Sequence, residues 1–164
     1  MTLEIDIERV SPLWAALPGV EALAERVLRA AASSGGVALR DGAEVSVRLV
    51  DDNDIRALNA RWRGLDEPTN VLSFPAAQPG GLAGSPLLGD IVLAYETAER
   101  EAREQGVALR DHVAHLIVHG FLHLLGFDHR DAEKAERMEA LEIRILEEVG
   151  LANPYVGTVA ADES

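Results

Sequence analysis

Three histidines, His119, His123 and His129, punctuate the otherwise apolar segment HGFLHLLGFDH, residues 119–129. On a helix, His119 and His123 project from one face about one turn apart. Residues 116–127 carry no other polar side chain, which predicts a central, buried helix. An imidazole buried there without a partner costs on the order of 1–3 kcal/mol. Gly126 can adopt the left-handed conformation that ends a helix, and such a turn brings His129 back toward the first two histidines. Three neutral imidazoles converging on one point, with a fourth position open, make a catalytic zinc site. The ordinary alternative is a set of core histidines, each bonded to a carbonyl; the trio spaced around a glycine favours the metal. With no cysteine in the chain, any metal must be held by nitrogen and oxygen.

The spacing matches the zincin pattern H-E-x-x-H-x-x-G-x-x-H at His119, His123, Gly126 and His129. It fails at Gly120, where metallopeptidases carry the glutamate that takes a proton from water. A hydrolase of some bond other than the peptide is therefore expected. His112 and His115 extend the stripe into the polar run RDHVAH and read as surface residues or as residues that support the ligands. Asp128 could orient a ligand or cap a turn.

The rest of the chain must position these residues. LEIDIE (Leu3 to Glu8) and EVSVRLV alternate as strands do, and NVLSF and GDIVLA are two further short strands separated by the Pro- and Gly-rich loop PAAQPGGLAGSP. GVEALAERVLRAAASSGG predicts an amphipathic helix with Val20, Leu23, Ala24, Val27, Leu28 and Ala31 on one stripe. DDNDIRALNARW predicts another, capped by Asp51 or Asp52 and carrying Ile55, Leu58 and Trp62. From Tyr95 onward three helical segments follow. Strands first and helices after read as α+β: one domain over residues 1–150, a small mixed sheet of about four strands packed against helices around the histidine helix. The tail, residues 151–164, is expected to be partly disordered.

At 164 residues with 48% hydrophobic and 26% charged residues, the chain has the composition of a folded globular domain. It begins with MTLEIDIERV and contains no apolar run long enough to span a bilayer, so a cytoplasmic protein without membrane contact is expected. A net charge of −13 disfavours general attraction to polyanions, and a nucleic-acid role would need a local basic patch.

Three segments together resemble the YbeY family of bacterial endoribonucleases, also called rRNA maturation factors. HGFLHLLGFDH is similar to the family signature H-G-x-L-H-L-x-G-[YF]-D-H; RWRGLDEPTNVLSFP, Arg61 to Pro75, resembles Y-R-G-K-D-x-P-T-[DN]-V-L-S-F-P; and LGDIVLA, Leu88 to Ala94, resembles L-G-D-I-x-I-[SC]. Order and spacing agree over roughly residues 45–148. Two departures stand out. Leu65 replaces a common lysine, removing a positive charge beside the RNA path, and Ala94 replaces a common serine.

The resemblance implies an α+β domain with one zinc ion on His119, His123 and His129 and hydrolytic, single-strand-specific cutting of RNA. It further implies a role in ribosomal RNA processing, notably small-subunit 3′-end maturation, and in ribosome quality control. The expected partners are therefore single-stranded or ribosomal RNA and the ribosome or its small subunit, with no DNA. Arg63 matches the family's functional arginine; its planar fork of donors could clamp a phosphate, although without the resemblance it reads rather as a surface arginine at a helix end. Asn70, Ser73 and Asp90 lie in the signatures and read as residues that pin loops. Two other functions compete: a metal-dependent hydrolase of peptides or small substrates, and a ribosome-binding assembly factor whose zinc is mainly structural.

Overall fold

The computed structural model describes residues 2–77 and 80–155. Four strands, β1 (Leu3–Arg9), β2 (Ala43–Val50), β3 (Val71–Pro75) and β4 (Leu87–Ala94), form one sheet in the order β1-β2-β4-β3. β1, β2 and β4 run parallel, and β3 pairs antiparallel to β4 at the edge. Five α-helices surround it: α1 (Val20–Ser34), α2 (Asp52–Arg63), α3 (Tyr95–Gln105), α4 (Leu109–Leu124) and α5 (Ala132–Glu148). This is the α+β arrangement with a mixed sheet. The sheet is more ordered than the sequence suggested, because β1, α1 and β2 form a parallel crossover.

Strand alternation sends side chains to two faces. Val45, Val47, Leu49, Ile91 and Leu93 enter the main core with α1, α4 and α5, whereas Leu72, Val92 and Ala94 meet Ile55 of α2 in a smaller cluster. The histidine helix α4 is central, as expected, with Val113, Ile117, Phe121 and Leu122 all buried. None of the described helices is long and apolar enough to cross a membrane.

Caps fix where the helices begin. Asp51 accepts from the Asp54 N–H at 2.8 Å and starts α2. Asp52 accepts from both the backbone N–H and the hydroxyl of Thr97, at 3.0 and 2.7 Å, and Glu96 accepts from the Asp52 N–H at 2.9 Å. The starts of α2 and α3 are thereby tied together. Ala94 occupies the N-cap position of α3 and offers no side-chain cap; Asp52 supplies it from outside, which accounts physically for an alanine at that point.

The expectation of a partly disordered tail falls mainly on residues 156–164, which lie outside the described residues. Before them, Leu151 is buried and Tyr155 reaches the histidines.

Candidate metal centre

His119 and His123 stand one turn apart on α4, and the helix stops just beyond them. The Gly126 N–H bonds to the His123 carbonyl and the Phe127 N–H to that of Leu122, both at 3.0 Å, with Gly126 at φ 96°. Only glycine takes that conformation without strain. The turn carries the chain back so that one nitrogen from each of His119, His123 and His129 lies within 4.8 Å of the others. Asp128 accepts from the Arg130 N–H at 3.1 Å, so it caps the turn that presents His129.

Glu142 of α5 anchors one member of the trio, His119. This carboxylate is completely buried, and its Oε2 accepts from His119 Nδ1 at 2.6 Å. An ionised carboxylate can only accept, so His119 carries a proton on Nδ1, which leaves Nε2 as the ring nitrogen that a metal could take. That Nε2 faces His123 Nε2 at 3.1 Å. Oε1 of Glu142 is met by His115 Nε2 at 3.3 Å and by the Tyr155 hydroxyl, which donates to it. Burial alone would raise the carboxyl, but the hydrogen bonds from His115, His119 and Tyr155 outweigh it and hold the group at about 2. Burial depresses His123, and its neighbours His119 and His129 depress it further, while a backbone hydrogen bond with Phe127 works the other way. The neutral form that binds metals is therefore favoured.

These features fit a divalent metal. The donors are all imidazole nitrogens, the tautomer of one is fixed by a buried carboxylate, and the chain has no thiolate to compete. The site differs from expectation in exposure. His119 keeps 28% of its side-chain surface and His129 is exposed. Only the other faces of α4 pack into the core, leaving the histidine face along a cleft of about 810 Å3 that could admit a polymer.

His112 and His115 are not surface residues, and His115 joins the network behind His119 through Glu142. His112 is buried and donates to Glu101 at 2.9 Å, and Asn70 Nδ2 donates to the same carboxylate at 3.0 Å. Burial raises Glu101, but these bonds leave it below its ordinary range. Ser73 donates to the Gly120 carbonyl at 2.9 Å, pinning α4 to β3. Asp90 is exposed on β4. Arg63, in the last turn of α2, lines the cleft. It is the one arginine there among the described residues, so no basic patch accompanies it.

Glu142 and Tyr155 escaped sequence reasoning. Glu142 left a signal, because it falls on the apolar stripe of Met138, Leu141 and Ile145. Tyr155 left none.

Gly120 has a structural reason as well as a chemical one. A Cβ there would lie 3.0 Å from Ile91 Cγ2 and 3.1 Å from Ser73 Oγ, so α4 approaches the sheet more closely than a larger residue permits. Installing the peptidase glutamate, Gly120→Glu, is therefore expected to destabilise the fold by at least about 3 kcal/mol through overpacking and a buried charge. Urea denaturation measures this. An unchanged midpoint would mean that α4 can move away from the sheet.

Comparison with known proteins finds one family. The family model described as Endoribonuclease YbeY matches residues 15–150. Among relatives, a protein named Endoribonuclease YbeY from Methylocella silvestris is 50% identical over 159 residues, covering 97% of this chain and 89% of its own. One of the same name from Agrobacterium fabrum is 48% identical over 162 residues, covering 94% and 96%. The solution structure of TM1509 from Thermotoga maritima is similar with a TM-score of 0.55 and 26% identity, over 88% of this chain and 91% of that one.

Proposed function

The chain belongs to the endoribonuclease YbeY family, and we propose that it is a zinc-dependent endoribonuclease that cuts single-stranded RNA, acting in the cytoplasm on ribosomal RNA. Within that role we assign it small-subunit 3′-end maturation and ribosome quality control, which bring it to the ribosome or its small subunit. The observation that carries the reading is the convergence of His119, His123 and His129 in an open cleft, with Glu142 fixing the proton of His119.

One zinc ion held by these three imidazoles would polarise a phosphoryl oxygen and activate water for attack on a phosphodiester. The residues of the chain do the rest. Glu142 keeps His119 Nδ1 protonated so that Nε2 points at the site. Arg63 is on the cleft wall, where its guanidinium can bind a phosphate and offset the charge that develops during cleavage. Gly120 leaves no carboxylate at the position where a zincin peptidase keeps its base, which supports phosphodiester over peptide hydrolysis.

The test sets RNA against protein substrate. Zinc-loaded protein is expected to cut a single-stranded RNA oligonucleotide and to leave both the matched duplex and casein intact. Casein cleavage without RNA cleavage would instead support the peptidase. Neither activity, together with ribosome-assembly defects in cells lacking the protein, would support an assembly factor. In the same assay Arg63→Ala should cleave about a hundredfold more slowly with metal binding unchanged. Unaltered cleavage would assign Arg63 to the surface.

A further inference from the structure

The apolar stripe of α2 runs through Ile55, Leu58 and Trp62, yet the structure treats its two ends differently. Ile55 is buried, whereas Trp62 is 60% exposed, the most exposed large apolar side chain among the described residues. The indole lies on the wall of the cleft that the three histidines also line. It is held rather than loose. Phe74 of β3 meets it edge-on at 6.3 Å between centroids and 66° between planes, and the Arg61 guanidinium lies 5.1 Å from the ring centroid.

Affinity for RNA has few other sources here. The chain carries a net charge of −13, and among the described residues the cleft is lined by a single arginine, by Glu101 and by no lysine, so neutralising phosphates contributes little. We propose that Trp62 is a binding site for an unpaired nucleobase: a base of the strand in the cleft stacks on the face of the indole that Arg61 leaves open, while Arg63 flanks its phosphate. Aromatic platforms of this kind accept any base, since every base has a π-face. They also discriminate by pairing, because a base inside a duplex has both faces covered by its neighbours. Trp62 would thus supply both affinity and single-strand preference. This rests on the endoribonuclease reading above and adds the residue that holds the base.

The two tryptophans make the test direct. Trp14 is fully buried, with its Nε1 donating to the Val50 carbonyl at 2.9 Å, so its emission reports the fold while that of Trp62 reports ligand. Stopped-flow anisotropy of a fluorophore-labelled single-stranded RNA oligomer, and of a labelled abasic oligomer of equal charge, reads binding before cleavage in wild type and in the variants that lack Trp62, followed by cleavage kinetics on the same RNA with zinc-loaded protein. Wild type should be quenched by RNA and bind it about tenfold more tightly than the abasic oligomer. Trp62→Ala should lose that difference and raise KM about tenfold with kcat within about twofold, whereas Trp62→Phe should retain most of the affinity. Equal binding of RNA by Trp62→Ala and wild type, with wild-type cleavage intact, would overturn the stacking site and leave the endoribonuclease reading standing. Wild-type protein that neither binds nor cuts RNA would overturn both.

Discussion

Alanine at His123 is expected to remove bound metal and RNA cleavage together while leaving the fold in place. Cleavage should fall roughly a thousandfold or more, since several kcal/mol of transition-state stabilisation is what a metal centre contributes to phosphodiester hydrolysis. The fold should survive because His123 gives little to it in metal-free protein. Its ring lies half-buried at the end of α4, with its Nε2 3.1 Å from that of His119. Both burial and the neighbouring His119 and His129 hold its protonation down. Removing one of three crowded imidazoles relieves that conflict, so thermal denaturation of the metal-free variant should match wild type or exceed it slightly. Metal analysis and RNA cleavage, measured on the same preparation, check the coupling. A variant that still binds one metal, or that still cuts RNA at the wild-type rate, would show that His123 is not a ligand on which the chemistry depends.

The second large effect concerns Glu142, which touches three side chains without exposing any of its own surface. Glu142→Gln keeps the shape but loses the charge, so His119 Nδ1 then donates to a neutral oxygen and Nε2 becomes a weaker donor to metal. Metal affinity should fall about 10- to 100-fold, the usual consequence of losing a carboxylate behind a ligating histidine. Competition with a chromogenic chelator measures this, and an unchanged dissociation constant would reduce Glu142 to a packing residue.

The same substitution should alter stability against pH in metal-free protein. Glu142 is depressed from an ordinary 4.5 to about 2 in the folded chain. A group lowered on folding gives stability that is complete above its unfolded value and disappears as pH falls through its folded one. Wild type should therefore exceed Glu142→Gln by about 3 kcal/mol at pH 6, with the difference shrinking between about 4.5 and about 2. A constant difference across that window would contradict the assignment.

Local signals account for what the sequence disclosed. The histidine spacing, the glycine at 126 and the apolar run of α4 each follow from helix geometry, so the convergence of a histidine trio able to hold a metal was legible together with the helix that presents two of its members. Strand alternation and the Asp51 cap were legible for the same reason. Order within the sheet was not. The parallel pairing of β2 with β4 joins segments separated by α2, β3 and a long loop, and no local pattern encodes it. The exposure of Trp62 was not legible either, because periodicity places a residue on a helix but does not say how much of that helix the fold covers. Glu142 was one acid among many until α5 was seen to turn it inward, although its place on an apolar stripe was a usable warning. Tyr155 depends wholly on where the tertiary fold leaves the chain after α5.

The expectations for metal binding and RNA cleavage depend on three imidazoles holding one metal that the cutting of RNA requires. Stepwise return of zinc to chelator-treated protein, with single-stranded RNA cleavage read at each addition, tests this most directly. Cleavage should be absent at the start, rise linearly and reach its plateau at one equivalent per chain. Full cleavage by the metal-free protein, or a plateau that no amount of zinc restores, would contradict it.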